Sequence, residues 1–289
     1  MRAPIWRFLN DPPQSAAVNM ARDEAIAIAF SEGKSPPTLR FYQWSALSFS
    51  IGAFQRLSPE WWARFEKACE RDPIALVRRI TGGRGLLHEH EITYAMIAGT
   101  EDPLFSGGIK ETFYAIAKGL LCGLEALGIE ADVSRPSRKE RGEGNKNPLC
   151  FAASSWYEIT AKNKKLIGSA QRRWRSHFLQ QGSMMMGKSR VAFRTGEAEG
   201  NPWVSENQMT LSELLPELPP YLQVANALKS GFESAFDLRF VPGTLTAYEL
   251  KLVEGLVYKK YGNPAWNRDR TGLDNEAGPH WGRDAQKAL

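Results

Sequence analysis

The chain has 289 residues, 43% of them hydrophobic and 24% charged, which suits a globular domain large enough to bury a substantial core. No stretch approaches the roughly 18 apolar residues of a membrane span, and the start, MRAPIWRFLNDPPQ, lacks a secretory apolar segment, so the expected location is cytoplasmic. The net charge of +5, from 37 basic and 32 acidic side chains, fits an acidic protein partner or nucleic acid and does not choose between them.

Apolar spacing in NMARDEAIAIAF predicts a helix over 19–30 with Asn19 as its cap, and Pro36-Pro37 marks a break after it. Strands are expected over 38–44 and 48–54, then a helix over 59–71 with Pro59 near its start. Residues 75–77 and 92–97 read as strands on either side of a Gly-Gly loop. A long helix with an apolar stripe is expected over 109–127, with Cys122 in its packed face. Residues 134–148 hold five basic side chains and no aromatic one, and read as a mobile loop. A hairpin follows, with strands over 155–161 and 165–170 turning at 162–164, then a strand over 178–186. From Leu211 the chain reads as mostly helical, with helices over 222–236 and 247–261. The expected organisation is one domain over 1–267 and a polar, frayed tail over 268–289. Hairpins mixed with helices, without regular strand–helix alternation, argue for an α+β fold with a mostly antiparallel sheet packed by helices.

Cys69, Cys122 and Cys150 are odd in number and widely spaced, which suits free thiols in a reducing compartment. No CxxC, HExxH or histidine cluster is present, so no metal site is expected. His88 and His90 would share a strand face only if the strand after the Gly-Gly loop begins that early.

The segment RRITGGRGLLHEHEITY, residues 78–94, carries the most chemistry. Gly82 and Gly83 allow the main chain to come close to a ligand, and Arg78 and Arg79 offer fixed positive charge for a carboxylate, phosphate or carbonyl oxygen. Two readings follow, a ligand-binding hairpin or a Gly-Gly turn with solvated arginines. The segment resembles the signature loop of the lipoate–biotin protein ligase and octanoyltransferase superfamily, through Arg78, Arg79, Thr81, Gly82, Gly83, His88, Glu91, Ile92, Thr93 and Tyr94. Gly85 stands where that family usually has alanine. The resemblance extends to Met20, Asp23, Glu24 and Ala25, to Thr38, Arg40, Tyr42, Trp44, Ser50, Gly52 and Gln55, and to YKKYGNPAWN near the end.

Cys150 follows the basic loop and precedes a strand. Nearby Lys and Arg favour its thiolate, and a thiol can take an acyl group from a thioester and pass it to an amine. A buried inert cysteine is the other reading. The run Cys150, Phe151, Ser155, Tyr157 and Glu158, followed by Lys165, Gly168, Ser169, Ala170 and Gln171, resembles the octanoyltransferases of the LipM type. The family often has a histidine where Gln181 stands. Glutamine keeps the hydrogen bonding and cannot titrate near neutral pH.

The resemblance implies the class II aminoacyl-tRNA synthetase and biotin-ligase type of catalytic domain, with no separate accessory domain. It implies that octanoyl passes from acyl carrier protein to Cys150 and then to a lysine of a lipoyl-domain protein, such as glycine cleavage protein H or the acyltransferase subunit of a 2-oxoacid dehydrogenase. Lys165 would stabilise the tetrahedral oxyanion or help deprotonate the amine. Arg78, Arg79, Thr81, Gly82, Gly83, His88, Gly168, Ser169 and Ala170 would bind substrate. The helix over 109–127 and the glycine-rich strands would bury the acyl chain, and Arg135, Arg138, Lys139, Arg141 and Lys146 would attract acidic carrier domains. No cofactor is implied; ATP with Mg enters only under the alternative of a lipoate–protein ligase, where Arg78 would lie near the phosphate. A third reading is an octanoyl amidotransferase between lipoyl proteins. A nucleic-acid-binding module is not expected, because there is no helix-turn-helix extension and no interleaving of aromatic and basic residues.

Overall fold

The computed structural model describes residues 4–134, 158–189 and 207–272. Cys150, Phe151, Ser155, Tyr157 and the five basic residues between 135 and 146 lie outside the described residues, as does the chain after Gly272.

The main sheet contains β1 (Ile5–Asn10), β2 (Thr38–Tyr42), β6 (Glu91–Gly99), β7 (Asp132–Val133), β8 (Ile159–Ala161), β9 (Lys164–Arg173), β10 (His177–Met185) and β11 (Arg239–Pro242). Its strand order is β11-β1-β2-β6-β10-β9-β8-β7. The first two pairings, β11 with β1 and β1 with β2, are parallel, and the remaining five are antiparallel. A second sheet joins β3 (Ser48–Ile51) to β4 (Ala75–Arg78) in parallel and to β5 (Leu86–His88) in antiparallel. The expected α+β class with a mostly antiparallel sheet is what the chain adopts.

Both faces of the main sheet are covered. β6 shows why, because its alternate side chains serve two cores. Tyr94, Met96 and Ala98 join a cluster with α3 (Ile109–Ala126) and α4 (Tyr221–Phe236), while Ala95 and Ile97 join another with α1 (Ala16–Ser31), α5 (Ala247–Leu256) and α6 (Pro264–Asp269). The small sheet packs Phe49, Ile51 and Leu87 on Trp61 and Phe65 of α2 (Pro59–Arg71).

Local chemistry explains several boundaries. Ser58 accepts a hydrogen bond from the Trp61 N–H (3.2 Å), and Pro59 opens α2 where a missing N–H costs nothing. Lys162 and Asn163 both take left-handed backbone angles (φ 49° and 61°), the two-residue turn that suits strand twist and closes Ala161 on Lys164. Ser15 caps α1, in place of the expected Asn19. Asn19 lies inside the helix with its side chain buried, donating to the carbonyls of Gln14 and Gln43 and accepting from Arg40.

Two expectations are corrected. β4 and β6 do not form a hairpin; the chain leaves the small sheet at β5 and enters the main one at β6. β1 and β11 are strands unmarked in the local pattern, paired across more than 230 residues. α6 ends at Asp269, and the Arg268 carbonyl accepts from Arg78 (2.5 Å). No helix among the described residues is long and apolar enough to cross a membrane.

Arg7 of β1 forks onto Glu249 of α5, with Nη1–Oε2 at 2.8 Å and Nη2–Oε1 at 2.6 Å, and the Ser35 hydroxyl adds a third bond at 2.8 Å. Burial pushes the Glu249 carboxyl up, but the hydrogen bonds and charge of Arg7 with its other donors hold it below its ordinary value. A carboxylate lowered in the folded state stabilises the fold above its unfolded pKa of about 4.3, and that contribution is lost as pH falls through the folded value. Urea unfolding of Glu249→Gln should start from a lower stability near neutral pH and lose less of it on acidification than the parent chain. Parallel declines would contradict this assignment.

Candidate functional site

A small open cavity lies between the two sheets. The main sheet and α1 supply Gly168, Ser169 and Ala170 of β9, Gln181, Gly182 and Ser183 of β10, Thr93, Tyr42 and Met20, and Trp44 follows β2. The small-sheet side supplies Ser50, Arg79, Leu86 and His88. The expected residues Arg79, His88, Gly168, Ser169 and Ala170 therefore share one cavity. α3 contributes none of this lining; its apolar stripe packs on α4 across the other face of the main sheet.

The signature loop is held at the cavity edge by close backbone approach. A Cβ on Gly52 would lie 2.0 Å from the Gly83 carbonyl oxygen. Gly83 itself takes a left-handed φ of 88°, and a Cβ there would come within 3.5 Å of Ala170 Cβ. Arg79 Nη2 donates to the carbonyls of Gly82 and Arg84, both at 2.8 Å, and Nη1 donates to the Ser50 carbonyl (3.3 Å) and hydroxyl (3.1 Å). The guanidinium thus staples the loop to β3 while lining the cavity. Thr81 donates to Gln181 Oε1 at 2.7 Å, which ties the same loop to the main sheet.

Arg78 is placed differently from Arg79. Its guanidinium donates to four main-chain carbonyls, those of Gly52 (2.9 Å), Gln55 (2.8 Å), Trp266 (3.1 Å) and Arg268 (2.5 Å). Its own amide donates to Asn267 Oδ1 and its carbonyl accepts from Trp266 Nε1. It clamps α6 against the loop after β3 and does not line the cavity. Burial, aided by Arg270 and Arg79, brings its guanidinium down to about 10, so it is still a cation at neutral pH.

Gln181 keeps the hydrogen bonding expected of it. Its amide donates to Asp23 Oδ2 at 2.6 Å while its oxygen accepts from Thr81. Burial pushes the Asp23 carboxyl up, against the charge of Arg40 and the hydrogen bonds from Gln181, Arg40 and Tyr42. The Arg40 contact is 2.6 Å and the Tyr42 contact 2.9 Å. Behind Ser169, Tyr94 OH lies 2.7 Å from Ser169 Oγ and accepts from Gln180 at 2.9 Å; burial pushes this phenol up to about 12, so it is neutral. Gly85 also has a local reason, since a Cβ there would sit 2.3 Å from the Phe49 ring.

Lys165 is buried on β9 outside the lining, three residues before Gly168, with its ammonium paired to Glu158. Its amide and carbonyl are fixed by Asn207 and Met209. The distance from Lys165 to Cys150 falls outside the described residues. Among the described residues no group of His, Cys, Asp and Glu is arranged to hold a metal ion.

Reasoning from sequence did not single out Trp44, Ser50 and Glu91 as site residues. Trp44 stacks on the His88 ring with centroids 3.8 Å apart, and Ser50 and Glu91 flank the two ring nitrogens. All three stand in the blocks that resemble the ligase superfamily, and that membership was the available signal.

Comparison with known proteins adds three findings. Residues 15–233 match the model of the lipoyl protein ligase A/B catalytic domain. The chain is 35% identical over 286 residues to Octanoyltransferase LipM of Bacillus subtilis, covering 93% of this chain and 100% of that one, and 37% identical over 277 residues to Octanoyltransferase LipM of Kyrpidia tusciae, covering 91% and 98%. The fold is similar to a crystal structure of lipoate-protein ligase A bound with ATP (TM-score 0.71, 22% identity, covering 94% of this chain and 100% of that one). It is also similar to the archaeal bipartite lipoate protein ligase of Thermoplasma acidophilum (TM-score 0.70, 21% identity, covering 95% and 99%).

The two neighbouring glycine sites predict opposite outcomes. Gly52→Ala should cost about 1–3 kcal/mol by overpacking against the Gly83 carbonyl, while Gly82→Ala, where a Cβ meets nothing within 4 Å, should stay within about 0.5 kcal/mol of the parent chain. Urea denaturation of both variants checks this, and equal costs would contradict the close approach.

Proposed function

Since the chain belongs to the lipoyl protein ligase A/B catalytic-domain family, we propose that it is an octanoyltransferase of lipoate assembly. The observation that carries this reading is the match along nearly the full length of octanoyltransferases, in a chain that keeps Cys150, Glu158, Lys165 and the Gly168–Ser169–Ala170 run together.

The chemistry has two halves. The Cys150 thiolate attacks the carbonyl of an octanoyl thioester on acyl carrier protein; a new carbon–sulfur bond forms and the carrier thiolate leaves. A lysine amine of a lipoyl-domain protein, such as glycine cleavage protein H or the acyltransferase subunit of a 2-oxoacid dehydrogenase, then attacks the Cys150 thioester. The amide forms, the sulfur takes back its electron pair, and the proton lost by the amine completes the balance. Each transfer exchanges one acyl bond for another, so no nucleotide is consumed.

The acyl chain lies in the cavity between the sheets, against Trp44, Leu86 and the glycine-rich β9. Each methylene removed from water there contributes about 0.8 kcal/mol, so cavity depth reads chain length. Lys165 acts by its charge, stabilising the oxyanion of each tetrahedral intermediate. The buried pairing with Glu158 supports this role, because a carboxylate partner favours an ammonium over a free amine.

Intact-mass measurement after incubation with octanoyl-carrier protein, without nucleotide, should show one added octanoyl group that hydroxylamine removes. Cys150→Ala should abolish the adduct and the transfer. Lys165→Met should slow transfer by about 10²–10³-fold, the effect of losing one oxyanion donor. Activity that requires ATP and survives Cys150→Ala would overturn the reading.

A further inference from the structure

Two loops and the end of α6 meet beside the cavity mouth, on a surface to which the chemistry above gives no task. The 52–56 loop abuts the signature loop, since a Cβ on Gly52 would lie 2.0 Å from the Gly83 carbonyl oxygen. Arg78 ties the same loop to α6 by donating to the carbonyls of Gly52, Gln55, Trp266 and Arg268. Gly83 borders the cavity lining, where a Cβ on it would come within 3.5 Å of Ala170 Cβ. A molecule seated on this surface therefore sits at the opening between the sheets.

The surface is cationic around one apolar ring. Phe54 is 60% exposed, and the Arg270 guanidinium lies 4.4 Å from the centroid of its ring. Arg270 closes α6 in a left-handed backbone (φ 60°), with its amide fixed to the Trp266 carbonyl at 3.0 Å, so a folded element carries this cation. Arg56 is exposed, and Arg84 is half-buried on the signature loop, where its carbonyl accepts from Arg79. Arg268 lies over the Trp62 ring at 4.9 Å and pairs with Glu66 at 2.9 Å. Beneath them Arg78 meets main-chain carbonyls, which hold a guanidinium in place without cancelling its charge. Burial first and the charge of Arg270 next bring the Arg78 guanidinium down to about 10, against the pull of Asp269, as expected where cations crowd together.

An exposed aromatic ring within a rim of arginines is the composition of a protein-docking surface, and the sign of the charge chooses the partner. The octanoyl donor is an acidic carrier whose acyl group hangs from an arm bearing a phosphodiester, so guanidinium groups attract both of its parts. The acceptor approaches with a lysine, whose ammonium the same rim repels.

We propose that Phe54, Arg56, Arg84 and Arg270 dock the octanoyl-carrier protein beside the cavity mouth, an inference that rests on the octanoyl-transfer reading. Phe54 supplies the apolar contact, and the arginines meet the carboxylates of the carrier.

Loading measured by intact mass over a range of octanoyl-carrier concentrations tests this. The chains compared are the parent, Phe54→Ala, the double variant Arg56→Glu with Arg270→Glu, and a control with the same change of net charge, Lys110→Glu with Lys118→Glu. Both control lysines are exposed on α3, across the other face of the main sheet. Reversing the two arginines should raise the KM for octanoyl-carrier protein by about tenfold or more at low salt, with the maximal loading rate within about twofold of the parent chain. About 0.3 M salt should narrow the gap, because exposed charges are screened. Phe54→Ala should raise the KM by about tenfold at either salt concentration, and the α3 control should stay within about twofold of the parent. An unchanged KM on reversal of the arginines, or an equal rise in the α3 control, would remove the docking site. Isolated acyl-enzyme mixed with a lipoyl-domain protein completes the comparison: slowed transfer with unchanged loading would give the surface to the acceptor and overturn the proposal. If the parent chain acquires no acyl group, the octanoyl-transfer reading fails and the docking with it, a result distinct from normal loading with an unchanged KM.

Discussion

The site depends on a short chain of buried hydrogen bonds that joins two sheets not otherwise paired. Thr81 of the signature loop donates to Gln181 of β10, Gln181 donates to Asp23 of α1, and Asp23 accepts from Arg40 of β2 and from Tyr42. An unpaired polar group at this depth costs about 1–3 kcal/mol, so each member fixes the next. The loop cannot drift from the main sheet without stranding Gln181, and Gln181 cannot turn away without leaving Asp23 short of a donor. The cavity exists because this line holds the small sheet at a set distance from β9 and β10.

Around that line the two signature arginines divide the labour. Arg78 spends its donors on carbonyls of Gly52, Gln55, Trp266 and Arg268, which stitches the C-terminal helix to the loop after β3. Arg79 spends its donors on Gly82, Arg84 and Ser50, next to the cavity. Adjacent residues on an extended chain point to opposite sides, and this geometric fact turns an apparently paired charge into one clamp and one wall residue. The site that results has the Arg79 guanidinium, polar groups and aromatic rings on its walls, with Lys165, paired to Glu158, a few residues along β9 from Gly168.

Much of this was legible in the residues and some was not. α2 was marked by Pro59, and the β8–β9 turn fell at Lys162 and Asn163 within the expected span, because helix starts and tight turns are local devices. β11 was hidden in a stretch that reads as helical, since its four residues gain strand character only by pairing with β1 from the other end of the chain. The hairpin expected across the Gly-Gly loop failed for a related reason: β4 finds its partner in β3, and no feature of 78–94 announces that choice. Of the residues that the resemblance implies for substrate binding, Arg79, His88, Gly168, Ser169 and Ala170 line the cavity, while Arg78, Thr81, Gly82 and Gly83 do not. Sequence order does not reveal which carbonyls a guanidinium such as that of Arg78 will meet. The partnership of Ser50 and Glu91 with His88 likewise required the register of β3 with β5, in which Ser48 faces His88 and Ser50 faces Leu86.

The central claim is that the space between the two sheets receives the acyl chain. Photolabelling with an octanoyl-carrier protein bearing a diazirine at the end of the acyl chain tests it most directly. After irradiation and proteolysis, the label should fall on Met20, Tyr42, Trp44 or Leu86. Labelling concentrated instead on α3 residues such as Ile116 or Leu120, with those four unmarked, would contradict the account.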